Sequence, residues 1–321
     1  MHYLILDKRQ RVETGNKDGI PSASLRLVEE LAKENIPNSL AYYDELEFEF
    51  IDGEMNIKVK REDIRKYTHI IFRGHTLDNE MEYHYKRYII DYIDHHNLKN
   101  PDSNILVQNS RAIKKLPYYN KIALAIFCFL NDIPYFNTYF RSDGNYLAHR
   151  DVLETYPLIM KEYAGVNRLE SVNGKEVIKK NVFKLSNEDD LRQEVLKDLN
   201  HSRFFIQQFA DIPRDMRLFL KGSKFITGWV REAQEGFITV SKGKYSLYNN
   251  PTKEELELAT KVAQKLDSDF LAVDIMHLNE KPLLQEISLH PGFKAYEQKT
   301  GGNAHNIAKE IITAFKKNKK A

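Results

Sequence analysis

Cysteine is almost absent from this 321-residue chain. The one example, Cys128, sits inside the apolar run IALAIFCFL and reads as core. Disulfide frameworks and thiolate metal clusters are therefore excluded, and a reduced compartment is compatible. A dominant charge is missing too: 48 Lys+Arg against 46 Asp+Glu leave a net charge of +2, too mild to imply nucleic acid. No stretch reaches the roughly 18–20 apolar residues of a membrane span, so no membrane partner is expected. The apolar part of MHYLILDKRQ is too short for a signal peptide and reads as a first strand, which leaves cytoplasm as the expected location. The chain also lacks a G-x-G-x-x-G turn, so a dinucleotide-binding reading has no support. Internal repeats and low-complexity linkers are missing as well.

What is present describes a globular protein, 42% hydrophobic and 29% charged, long enough for two or three lobes. Residues 1–105 alternate strand and helix: YLILD (3–7), a helix at 24–36, a hairpin around Asp52-Gly53, THIIFRG (68–74), a tyrosine-rich helix at 80–96, and NILVQN (104–109). This predicts a small α/β layer with a mostly parallel sheet. Residues 106–200 carry an amphipathic helix at 118–131 containing Lys121, a strand ending at Lys161, a short strand at 182–187 and a helix at 188–199. From 201 to 321 come FFIQQF (204–209), strand-turn-strand patterns at 216–232 and 236–246, a helix at 253–267, and a last helix at 303–317. The expected fold class is α/β (α+β) in three parts, divided as 1–105, 106–200 and 201–321.

The most informative stretch is LAVDIMHLNEKPLLQEISLHPGF (271–293). Two apolar runs flank the polar turn Asn279-Glu280-Lys281, so it reads as a β-hairpin. With the turn centred near Glu280, Asp274 falls opposite Glu286, and Ser288 shares their face. Facing carboxylates repel, and a hard cation removes that cost. Mg²⁺ suits the pair because it binds through one or two carboxylates and completes its shell with water and phosphate. The same acids also fit a plain solvent-facing hairpin. Asp215 and Arg217 are two apart on one strand, with Arg231 on its partner. They read either as phosphate contacts or as a cross-strand ion pair.

From about residue 105 onward the chain resembles the RimK-like branch of the ATP-grasp ligases. The resemblance rests on an ordered set: Lys121, Lys161, the hinge strand FFIQQFA (204–210), D-M-R at 215–217, V-R at 230–231, and the block Asp274, Glu286, Ser288, Pro291-Gly292-Phe293. It implies two lobes that sandwich ATP behind a small N-terminal domain. It also implies nucleotide contacts from Lys121, Lys161, Gln207, Gln208, Phe209, Ala210, Asp215 and Ser241, with Arg217 and Arg231 in catalysis. Asp274, Glu286 and Ser288 would hold one or two Mg²⁺, with Mn²⁺ as an alternative ion. The activity implied is ATP-dependent ligation of a carboxylate to an amine through an acyl phosphate. The partners implied are ATP with small carboxylate and amine substrates or a peptide, and a homo-oligomer is compatible. A graspetide-type peptide macrocyclase and a nucleotide-binding protein of the same shape whose chemistry has faded are the alternatives.

Three departures from the family pattern stand out. The segment EYAGVNRLESVNGKEV (162–177), where a glycine-rich phosphate-covering loop is usual, holds only Gly165 and Gly174, leaving Arg168, Lys175 or Lys184 as substitutes. Ser288 replaces the usual asparagine at the third metal position. Thr239 and Ser241, with Lys242 and Lys244 nearby, stand where an arginine and an asparagine are usual. The acceptor pocket, with Arg73, His75 and the tyrosines of 83–92 as candidates, is therefore expected to differ from that of the name-giving enzyme.

Overall fold

Five consecutive buried residues, Tyr3–Asp7, open the structure as β1. The computed structural model describes residues 1–9, 19–74, 80–116, 120–148, 156–163, 167–172, 175–193, 199–210, 214–232, 244–299 and 305–315. The first third continues with α1 (Ser22–Lys33), β2 (Asn38–Tyr42), β3 (Leu46–Ile51), β4 (Glu54–Val59), β5 (Glu62–Asp63), β6 (His69–Phe72), α2 (Glu80–Lys99) and β7 (Leu106–Val107). Strands β2-β1-β6-β7 form one parallel sheet. Burial on both faces explains why β1 is continuously apolar up to Asp7. Strands β3-β4-β5 form a separate antiparallel sheet. Its first turn uses Asp52 and Gly53 at φ 52° and 78°, the left-handed pair that a two-residue turn requires.

The middle of the chain holds α3 (Ser110–Lys115), α4 (Lys121–Leu130), β8 (Thr138–Tyr139), β9 (Leu158–Glu162), β10 (Asn167–Val172), β11 (Lys175–Lys180) and β12 (Val182–Leu185). Then comes β13 (Phe204–Gln208). The order β12-β9-β13-β8 makes a second, antiparallel sheet. Strand β13 begins after residue 200 yet pairs with β9 and β8. Two expectations change here. The segment read as a glycine-poor loop is in part an antiparallel hairpin, β10–β11, whose ladder supplies its own hydrogen bonds. The helix expected over 188–199 begins instead as a short 3₁₀ turn, Glu188–Arg192, capped by Asn187, and residues 194–198 lie outside the described residues.

The last third contains β14 (Arg214–Lys221), β15 (Lys224–Glu232), β16 (Lys244–Leu247), α5 (Lys253–Leu266), β17 (Phe270–Leu278), β18 (Lys281–Ser288), α6 (Lys294–Lys299) and α7 (Ile307–Ile312). Strands β16-β15-β14-β17-β18 form a five-stranded antiparallel sheet. Helix α5 starts with a capping box: Glu255 N–H donates to Thr252 Oγ1 while Thr252 N–H donates to the Glu255 carboxylate.

Two hydrophobic cores bridge the first and last sheets. One joins Leu4, Ile70 and Phe72 to Met216, Val273 and Ile287, with Leu124, Phe127 and Cys128 of α4. The other joins Ile5, Leu27 and Ile71 to Phe219, Trp229 and Tyr296. A third core, built on Tyr146, Leu158, Met160, Leu185 and Phe204, belongs to the middle sheet alone.

Candidate functional site

The hairpin β17–β18 turns through Asn279 and Glu280, both at positive φ, so the turn centres half a residue earlier than the sequence suggests. Left uncorrected, that register would put Asp274 opposite Gln285. A β-bulge repairs it: Ile275 pairs with Leu284 and Asp274 with Glu286, leaving Gln285 as an extra residue on β18. The two carboxylates do face each other. Ser288 lies two residues beyond Glu286, on the same face of the strand.

Strand pairing then lines up the remaining charges. Arg217 is the cross-strand partner of Asp274, and Asp215 of Arg231. Arg217 donates Nε–H to Asp274 Oδ1 and Nη2–H to Oδ2, each at 2.7 Å. Arg231 donates in the same forked way to both oxygens of Asp215 at 2.5 Å, and its Nη2 also reaches Asp274 at 3.3 Å. Lys121 comes from a different element. It is the first residue of α4, whose N-cap Asn120 accepts from Ala123 N–H, and its Nζ lies 2.9 Å from Glu286 Oε2. The six side chains hold three positive and three negative charges when ionised, so the cluster is neutral as a whole. Asp215 and Arg231 are buried, which makes their contact an interior ion pair and not a surface one.

Proton affinities follow from this pairing. Burial pushes Asp274 up, but Arg217, through its charge and both hydrogen bonds, outweighs it with help from Arg231 and holds Asp274 at about 2. Burial likewise pushes Glu286 up, and Lys121 brings it below the ordinary value. Asp215 goes the other way. Burial dominates, the Asp274 charge adds to it, and even with Arg231 in contact the carboxyl rises to about 6. Mg²⁺ fits Asp274 and Glu286, since both are ionised, hard oxygen donors facing one another. Among the described residues no group of three or more His, Cys, Asp and Glu side chains could hold a metal. An ion here would draw its other ligands from elsewhere, as Mg²⁺ habitually does.

Of the other sequence-predicted residues, Lys161, Gln207 and Gln208 sit in the middle sheet. Lys161, on β9, donates to Gln207 Oε1 at 3.1 Å, and Gln207 Nε2 donates to Thr138 Oγ1 at 2.9 Å. Gln208 N–H donates to the Asn137 carbonyl. Phe209 carries the Lys184 ammonium 4.4 Å above its ring, and Ala210 follows in irregular chain. Two main-chain bonds hold the surroundings: Leu284 N–H of the acidic hairpin donates to the Pro134 carbonyl ahead of β8, and Lys121 N–H at the start of α4 donates to the carbonyl of Tyr163 just past β9. Ser241, Thr239, Lys242 and His75 lie outside the described residues.

Sequence reasoning missed the groups that anchor the hairpin. Asn109, buried at φ 57° between β7 and α3, donates Nδ2–H to the carbonyls of Phe270 and Leu289, both at 2.7 Å. Its Oδ1 accepts from the N–H groups of Asp269 and Phe270. One side chain thus pins the start of β17 and the end of β18. Arg73, a candidate for the acceptor pocket, is instead buried with Nη2 donating to the Pro291 carbonyl at 2.7 Å. Lys86 is fully buried 3.5 Å from His290 Nδ1, and burial lowers its ammonium to about 7. The only local signal was an asparagine set between a strand and a helix.

Comparison with known proteins places this arrangement. Residues 152–315 match the RimK-like ATP-grasp domain. A probable alpha-L-glutamate ligase of Nitrosococcus oceani is 30% identical over 116 residues, 36% of this chain and 37% of that protein. The chain thus aligns with little more than a third of that curated relative's length. Among solved structures, the ATP-grasp ligase PsnB complexed with a minimal precursor superposes with a TM-score of 0.64 at 13% identity, covering 97% of this chain and 98% of that one. The macrocyclase MdnC of Microcystis aeruginosa MRC, bound with precursor peptide MdnA, gives 0.62 at 10% identity and 97% of each chain. At such identities the likeness is one of fold. With the family match spanning half of its length, the chain belongs to the RimK-like ATP-grasp family.

Proposed function

We propose that this protein is an ATP-dependent ligase that joins a carboxylate to an amine through an acyl phosphate. The observation that carries this reading is the convergence of Arg217, Arg231 and Lys121 on the facing carboxylates Asp274 and Glu286. The substrate carboxylate attacks the γ-phosphorus, the bond to the ADP oxygen breaks, and the amine then displaces phosphate from the acyl carbon and gives up a proton. None of the six clustered side chains has to act as a nucleophile. Positioning and charge stabilisation supply the rate.

Each residue has a task in this reading. Lys161 on β9 and Lys121 on α4 clamp the phosphates from two sides, while residues 207–210 offer main-chain groups to the adenine edge. Arg217 and Arg231 meet the charge that builds during transfer, and Asp215 orients Arg231. Ser241 adds a nucleotide contact. Mg²⁺, held by Asp274 and Glu286 with Ser288 as a third oxygen, neutralises phosphate charge when bound. The 1–105 segment shapes the acceptor side, and the two later segments enclose the nucleotide. A peptide substrate, including macrocyclisation of the graspetide kind, is the second reading. The reach of the fold likeness over 97% of the chain, to ligases described with precursor peptides, favours it.

ADP release tests the proposal, measured with Mg-ATP against free amino acids, dipeptides and acidic peptides. The expected result is substrate-dependent release that Glu286→Gln abolishes while leaving the circular dichroism unchanged. Mg-ATP at a hundredfold excess over Kd should also stabilise the fold by about 2.7 kcal/mol. The absence of both ADP release and a melting shift with millimolar Mg-ATP would overturn the reading.

A further inference from the structure

Strands β3 and β4 pair Leu46 with Val59, Phe48 with Ile57 and Phe50 with Met55, so these six side chains share one face. That face packs on α2, where the Phe48 ring lies 5.5 Å from Tyr85 and 6.2 Å from Tyr88. At one end the packing is closed, with Ile57 and Val59 buried. At the hairpin end it opens. Phe50 belongs to the helix-facing side yet stands 72% exposed, and Tyr88 is 42% exposed. Between them lies a hollow of about 660 Å³, lined by Phe48, Phe50 and Met55 of the hairpin and by Tyr85, Tyr88 and Tyr92 of α2. The three tyrosines recur at helical spacing and form one stripe. The volume falls within the range of ligand clefts, about 300–1,000 Å³.

The strand beside this hollow has an open edge. β3 is outermost in the order β3-β4-β5, and in an antiparallel pair every second residue turns its N–H and C=O away from the partner. Among the described residues, no main-chain group bonds to residues 47–51 from that side. Edges of this kind are ordinarily blunted by lysine, proline or a bulge, and β3 has none of the three. Its charges are acidic instead. Glu47 is exposed on the strand, and Asp52 and Glu54 are exposed at the turn. We infer that β3 and the hollow dock an extended peptide segment of a partner protein, one that carries an aromatic side chain between basic residues. Strand addition satisfies the open edge, and the alternation of an added strand sends every second side chain to the hollow. The intervening side chains lie beside Glu47 and Glu49, where basic residues attract and acidic ones repel. A small aromatic molecule would fill the hollow but leave the edge unused. An anionic lipid surface would meet the acids of the hairpin. None of the lining residues belongs to the cluster around Asp274, so the surface can be tested without nucleotide.

The test is fluorescence anisotropy of a labelled peptide in which lysine alternates with valine and phenylalanine, titrated with the full chain. Saturable binding is expected. The same peptide N-methylated at its valines and phenylalanine keeps its side chains but loses the N–H groups that face β3, and should bind about tenfold more weakly or worse. Replacing its lysines by glutamate should weaken it in the same direction. On the protein side, Phe50→Ser should weaken binding while leaving circular dichroism unchanged, since the ring is mostly in solvent. Should Phe50→Ser fail to fold, Glu47→Lys, also at an exposed position, carries the test through charge. No binding at millimolar peptide, equal binding of the N-methylated peptide, or binding unchanged in both variants would each overturn the inference. Saturable binding of indole with none of the peptide would overturn it equally, and would assign the hollow to a small aromatic ligand. A dimer that Phe50→Ser dissociates would overturn it too, and would assign the patch to a second copy of the chain.

Discussion

Removing Arg231 should cost far more than losing a surface ion pair. Asp215 and Arg231 are 2% and 5% exposed and share a forked pair of 2.5 Å hydrogen bonds. Arg231→Ala leaves the Asp215 carboxylate in the interior with its main partner gone, a loss of about 3–5 kcal/mol for a broken buried pair. Surface pairs typically contribute about 0–1 kcal/mol, so the two cases are separable. The deficit should also depend on pH in a definite direction. Asp215 already sits at about 6, above the unfolded carboxyl, and loses its strongest stabilising charge in the variant. The folded variant therefore holds a proton that the unfolded chain releases, and its stability rises as pH falls. The slope approaches about 1.4 kcal/mol per pH unit over the window where only the unfolded form is ionised. Urea titrations at pH 8 and pH 5 suit the measurement. The single tryptophan, Trp229, is buried on β15 two residues from Arg231 and reports unfolding directly. Asp215→Asn combined with Arg231→Ala should recover much of the loss, because the carboxylate left without its partner is gone. A deficit under 1 kcal/mol, or one identical at both pH values, would refute this account of the pair.

Three further outcomes are expected. Asp274 is held at about 2, below its unfolded value, so it stabilises the fold above pH 4 and should surrender on the order of 2 kcal/mol as pH falls from 4 to 2. Urea midpoints of wild type and Asp274→Asn should converge over that interval. Asn109→Ala strands buried main-chain groups at both ends of the acidic hairpin and should cost about 2–4 kcal/mol, read as a lowered urea midpoint at unchanged m-value. Ser288→Asn should retain or raise Mg²⁺ affinity, measured by calorimetry with a nonhydrolysable nucleotide, since an amide carbonyl is the better oxygen ligand. Loss of nucleotide binding would count against Ser288 as the third ligand.

Much of the site was legible because it depends on alternation within strands. Asp215 and Arg217 share a face for that reason, and Asp274 meets Glu286 in the expected register. The reason behind that register was not legible, since the bulge at Gln285 compensates for a turn one residue tighter than assumed. The parallel first sheet was anticipated, but β2 was missed: NSLAY has only its last two residues buried and so carries a weak strand pattern. Asn109 escaped because its three partner residues, Asp269, Phe270 and Leu289, lie about 160 to 180 residues away, at the start of β17 and after β18. No local periodicity encodes a contact of that range. Helix α4 misled in the opposite sense. Apolar residues are expected to find cover, but Ile126, Phe129 and Leu130 on its outer side stand exposed.

The pattern of hydrophobic cores sets how the molecule could be taken apart and recombined. The middle sheet has a core of its own, from Tyr146 to Ile206, so a homologous segment with those bounds can be exchanged while the other two cores keep their residues. The N-terminal sheet offers no such seam. Its Leu4, Ile5, Ile70 and Phe72 are shared out between two cores completed by Met216, Phe219, Trp229 and Val273 some two hundred residues later. A chimera that replaces the first hundred residues would divide both cores at once, and it would also replace Arg73, which holds the Pro291 carbonyl. A substitution in the N-terminal sheet therefore acts directly on the packing of the acid-bearing sheet.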